Sequence, residues 1–119
     1  FFFQAEDGIR DSSTSRGLPE AAVIDLSRSL LRDLAQICNV DQQGFTLDWV
    51  PSVSYRDGMP DLSITQVEML WFPKDPHTHQ LVECTIREAV TLAYPELKSL
   101  SVMFIELDPS TYFRNGAHF

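Results

Sequence analysis

Basic residues are scarce in this 119-residue sequence, which carries nine Lys plus Arg against seventeen Asp plus Glu and a formal charge of −8. Phosphate binding rests on clustered Lys and Arg, so nucleic-acid and anionic-membrane surfaces are excluded as functions. Cysteine is equally thin. Cys38 and Cys84 are too few for a disulfide framework. No apolar run approaches the roughly 18 to 20 residues that span a bilayer. Glycine numbers five, and neither Gly-x-x-x-x-Gly-Lys nor Gly-x-Gly-x-x-Gly occurs to cradle a phosphate, nor a Gly-x-Ser-x-Gly nucleophile elbow. What remains is 44% hydrophobic and 22% charged, the usage of one ordinary acidic domain. A reduced, cytoplasmic protein with no nucleic-acid or membrane partner is expected.

An initiator Met is missing too. The chain opens on Phe1, Phe2 and Phe3, followed by Gln4 to Asp11, QAEDGIRD. That octapeptide resembles the codon-by-codon translation of a sequencing-adapter oligonucleotide, CAA GCA GAA GAC GGC ATA CGA GAT. Residues 1–15 are therefore expected to be a non-native segment and its junction, and residues 16–119 a single native domain. Setting aside Glu6, Asp7, Asp11 and Arg10 leaves fourteen acids and eight bases, a net charge of −6.

Hydrophobic periodicity organises the rest. Val23, Leu26, Leu30, Leu34 and Ile37 recur at steps of three and four, which predicts an amphipathic helix over 19–37, with Pro19 in its first turn and Asn39 as a left-handed terminator. Phe45, Leu47 and Trp49 alternate with Thr46 and Asp48, the period of a half-buried strand over 45–50 that ends near Pro51. Ser54 to Asp61, SYRDGMPD, reads as a hairpin-type connection around Asp57-Gly58. A second strand is predicted over 64–72, with both of its faces apolar towards the C-terminal end, as in a strand covered on two sides. Asp75 and Pro76 then open a second helix that runs to Ala93, and a third strand covers 102–107. Asn115-Gly116 predicts a short terminal hairpin. No strand precedes the first helix in this pattern. A β-α-β unit needs one, ending at about Ser15 where the adapter-like stretch stops, so an N-terminal strand is expected to have been lost.

Few side chains suggest chemistry by themselves. His77, His79 and Glu83 raise a metal site, but residues two apart on a helix diverge by about 200°, and both histidines are expected as exposed residues at a helix start. Cys38 and Cys84 lack a partner that would activate a thiol, so buried packing is expected for both. Trp49 and Trp71, expected on neighbouring strands, read as core or subunit-interface residues. Periodicity alone yields an α+β sandwich whose function is unreadable.

Two segments carry a resemblance: VEMLWFPKDPHTHQLVECTIREAV, from Val67 to Val90, and FIELDPSTYFRNGAHF, from Phe104 to Phe119, supported by RGLPEAAVIDL and GFTLDWV. They resemble a small bacterial family of uncharacterised function in the tautomerase superfamily, whose fold is shared with 4-oxalocrotonate tautomerase and macrophage migration inhibitory factor. The resemblance implies a βαβ-βαβ sandwich with two helices on one face of a four-stranded sheet, the first strand here lost or replaced, assembled as a homotrimer. It also implies keto-enol isomerisation of a small carboxylate-bearing substrate by an N-terminal proline, without metal or organic cofactor. No proline stands at the matching position near Asp11, so this chain is expected to be inactive and no catalytic residue is assigned. Arg16 matches the arginine that follows the first strand and is the leading substrate-binding candidate. Tyr55 and Arg114 are further candidates, because superfamily pockets draw on the central hairpin and the tail of adjacent subunits. Two other readings stay open: a non-catalytic binding or oligomerisation module that keeps the fold, and an unrelated ferredoxin-like sensor domain.

Overall fold

The computed structural model describes residues 2–7, 19–51 and 53–118. Its first element is a strand, β1 (Phe2–Asp7), which corrects the expectation that none precedes the first helix. The physical reason lies in the neighbours. β2 (Leu47–Pro51) and β5 (Ile64–Trp71) each present a backbone edge to the space between them, and backbone ladders accept any extended segment whatever its side chains. β1 fills that slot, parallel to β2 with Phe3 opposite Leu47, and antiparallel to β5 with Phe2 opposite Leu70. Four of its six residues come from the adapter-like string. The place predicted for a lost or replaced strand is thus occupied.

With β6 (Ser99–Glu106) parallel to β5, the sheet order is β2-β1-β5-β6. Two parallel pairs meet antiparallel at the centre, which is the twofold-related βαβ-βαβ arrangement. α1 (Glu20–Cys38) and α2 (Pro76–Ala93) cross between the members of each pair and pack on each other over one face. The α1 stripe of Val23, Leu26, Leu30 and Leu34 and the α2 stripe of Val82, Ile86 and Val90 close over Val67, Met69 and Trp71 of β5, all of them buried. Trp49 packs at the margin of this core. The two tryptophans are not on neighbouring strands, because β1 runs between them.

Local signals set most boundaries. Asn39 takes φ 54°, its N–H reaching the Gln36 carbonyl while that of Val40 reaches Ala35, so the α1 carbonyls are satisfied in a Schellman arrangement. Asp75 accepts from the Thr78 N–H at 2.8 Å and its hydroxyl at 3.0 Å, ahead of Pro76 in the first turn. These bonds, the backbone one foremost, hold the Asp75 carboxyl below its ordinary value of 3.8. A depressed folded-state value contributes stability that is full above 3.8 and lost as pH falls through the lower value. Asp75→Ala is therefore expected to lower Tm by a few degrees at pH 7, and the gap from the parent chain should close towards pH 2. Thermal melts at both pH values check this.

β3 (Tyr55–Arg56) and β4 (Met59–Pro60) form the expected central hairpin, with Asp57 at φ 52° and Gly58 at φ 76°. β7 (Phe113–Arg114) and β8 (Ala117–His118) form the terminal one around Asn115 and Gly116. Paired positive φ angles are those of a type I′ turn. β6 begins three residues before its expected start, since the polar Ser99 and Ser101 conceal a ladder that already pairs Ile64 with Ser99. A 3-10 turn, Gln42–Gly44, delays β2 to Leu47.

Candidate active site

The end of the sheet at which β1 begins gathers the most varied chemistry among the described residues. The register brings Phe2 opposite Leu70 on β5, and Trp71, the next residue, stands beside Glu106 on β6. After Glu106 the chain is pinned by the Leu107 N–H on the Trp71 carbonyl at 2.7 Å and turns through Pro109–Thr111. Tyr112 meets the Phe72 ring edge-on at 5.4 Å, which sets the terminal hairpin at this same end.

His79, in the first turn of α2, points into the cluster. Its ring lies 4.6 Å from that of Trp71 and 5.0 Å from that of Phe104, edge-on to both, while Trp71 stacks on Phe104 at 4.8 Å. His79 Nε2 is 3.6 Å from Glu106 Oε1, and the imidazole is only 28% exposed. The expectation that both histidines are surface residues therefore holds for His77 and is corrected for His79. Their divergence on the helix sends one outward and the other against Trp71. The Trp71 side chain is fully buried, yet its Nε1 has no hydrogen-bond partner among the described residues.

The sequence-derived candidates are dispersed. Arg16 lies outside the described residues. Arg114 is exposed on the terminal hairpin, at the end where β1 begins. Tyr55 is 66% exposed on the central hairpin, which links Pro51 to Ile64 at the opposite end of the sheet. One protomer does not bring Tyr55 and Arg114 together. Among the described residues no group of three His, Cys, Asp or Glu side chains is placed to hold a metal ion. Cys38 is buried, and burial pushes its thiol up in spite of Lys74. Cys84 is half-exposed, which corrects the expectation of burial. Its Sγ lies 3.3 Å from Glu88 Oε1, a contact that raises its thiol as well. A groove of about 340 Å³ between the helices, floored by Leu26, Ala89 and Ala93, has Asp25 as its one charged lining residue among the described residues and offers little to orient a substrate.

Trp71, His79 and Glu106 were not singled out as a site by the sequence. Alternation marks Trp71 as buried, but nothing in the spacing links a residue of the first α2 turn to the last residue of β6.

Comparison with known proteins places this fold. Solved structures that share it include a domain of unknown function (DUF1904) from Sebaldella termitidis, at TM-score 0.81 and 20% identity over 99% of this chain and 98% of that one. A macrophage migration inhibitory factor homologue from Prochlorococcus marinus matches at TM-score 0.71 and 13% identity, over 100% and 99% of the two chains. A fused 4-OT, solved as an asymmetric trimer, matches at TM-score 0.78 and 10% identity, over 99% and 95%. No curated protein matches the sequence. The family model for DUF1904, a domain of unknown function, matches residues 14–118, so the chain belongs to that family and carries the tautomerase-like fold.

Proposed function

We propose that this domain is a cofactor-free tautomerase of small keto acids that works as a homotrimer. The observation that carries the reading is where β1 begins. It is an inner strand, and its head stands at the sheet end that holds the buried Trp71, the half-buried His79 and the terminal hairpin. A secondary amine placed there has an apolar wall beside it, which lowers its pKa by disfavouring the charged form. Such an amine takes a proton from the carbon next to a carbonyl and returns it elsewhere, which is general acid-base tautomerisation. Arg114, at the same end, is the described candidate for the substrate carboxylate, with a guanidinium fork that suits two oxygens. Tyr55 would enter only from a neighbouring copy, and Arg16 would follow the first strand.

The first proline of the sequence is Pro19. The activity is thus assigned to the domain when β1 opens on proline, with residues 16–119 as its native part. A cytoplasmic setting suits the two free cysteines, and no helix among the described residues is long and apolar enough to cross a membrane.

Trimer formation is supported by the face of the sheet away from the helices. Parallel strand pairs are ordinarily covered on both sides. Among the described residues only one side is covered, and Met103 and Ile105 lie 39% and 44% exposed on the other, Ile105 beside the half-buried Leu70.

The test replaces the head of β1 with Met-Pro, relying on removal of the Met, and assays phenylpyruvate and hydroxymuconate against a Pro-to-Ala control. A rise of about 10²-fold or more over the control is expected from a positioned acid-base group. Equal rates across a panel of keto acids would leave a binding or oligomerisation module that merely keeps the fold.

A further inference from the structure

Building on the tautomerase reading, we propose that His79 binds the enol oxygen of the substrate through Nδ1 and exchanges its proton, with Glu106 as the residue that positions the ring. Four observations converge on this role. Of the two histidines whose side chains are described, His77 is exposed and His79 is turned inward against two aromatic rings. The Glu106 carboxylate faces Nε2 at 3.6 Å, so Nδ1 is the ring nitrogen that the carboxylate does not face. The indole N–H of Trp71, whose ring touches that of His79, is buried and has no hydrogen-bond partner among the described residues. The cluster also stands at the head of β1, where the carbon-directed amine would be.

The step balances as follows in the enol-to-keto direction. The enol O–H bond breaks as its proton passes to His79 Nδ1, and the oxygen electron pair forms the carbonyl π bond. The C=C electron pair takes a proton from the ammonium at the head of β1 and forms the new C–H bond. His79 has then gained one proton and the amine has lost one, and solvent carries it back. A single amine has to serve both carbon and oxygen, whereas two groups on either side of Trp71 divide the task.

Binding is tested first, on the chain as it stands, with phenylpyruvate as the probe. Trp71 fluorescence is followed in a Trp49→Phe background, and the His79 ring nitrogens by NMR. A saturable change in both signals is expected, with at least a tenfold weaker Kd in His79→Gln. Glu106→Gln should keep the binding but move the ring nitrogen shifts towards a mixture of tautomers, which a purely structural contact would not do. No binding, or binding that His79→Gln leaves unaltered, would overturn the proposal. Turnover is tested next, in the version headed by proline. There His79→Gln is expected to lower kcat about 10²-fold with KM within a few-fold. Full turnover in His79→Gln would overturn the role of His79 and leave the tautomerase reading intact. No turnover in the parent, with binding at His79 retained, would support His79 as the ligand contact and remove the tautomerase reading instead.

Discussion

Placing aspartate at both Met103 and Ile105 is expected to convert the protein from a particle of three chains to one of a single chain of 13.5 kDa. Both side chains project from the sheet face that the helices leave open, at 39% and 44% exposure. If three copies cover that face, the double variant takes two carboxylates per chain out of water with nothing to pair them, at several kcal/mol each. An association driven by apolar area at about 25 cal/mol per Å² does not survive that. Helix α2 supplies the control: Leu92 is 83% exposed on the opposite layer, so Leu92→Asp should leave the mass unchanged. Light scattering reads all three proteins. A parent that already scatters as one chain would sink the trimer, and a mass of two chains would point to the pairing more usual for small sensor domains.

The second large effect is in the core. Leu34→Ala is expected to cost about 2–5 kcal/mol, because Leu34 is fully buried where α1 meets the sheet and its loss leaves a cavity that packed neighbours fill only in part. Small domains have about 5–15 kcal/mol in total, so this one change removes a large fraction of the margin. For a domain of this size it corresponds to a fall in Tm of about 10–30 °C. The denaturant midpoint should fall with an unchanged m-value, which separates lost packing from a change in the unfolded chain. A loss under about 1 kcal/mol would mean that α1 is not seated as described.

What the sequence disclosed and what it concealed divide along the range of the interaction. Asn39, Asp57-Gly58 and Asn115-Gly116 announce their turns because a positive φ is a property of one or two residues. Asp75 and Pro76 announce α2 because a cap acts within a single turn. The periodic stripes of both helices were legible, and with them the face that each buries. β1 was not legible, because its place is created by two strands more than 40 residues downstream. The inward turn of His79 was hidden for the same reason. Helical geometry separates His79 from His77, but only the meeting of α2 with the ends of β5 and β6 decides which of them finds Trp71. Tyr55 and Arg114 were nominated through a resemblance, and topology set them at opposite ends of the sheet.

The strand order also bears on how the molecule comes apart. β5 and β6 pair with each other directly, whereas β2, among the described residues, has β1 as its one ladder partner in the sheet. Release of β1 would therefore strand β2, leaving α1 and its apolar stripe attached to the remainder mainly through α2, while β5, α2 and β6 keep their own hydrogen bonds. The molecule has a self-sufficient half and a dependent half, and the six residues Phe2–Asp7 are the hinge pin between them.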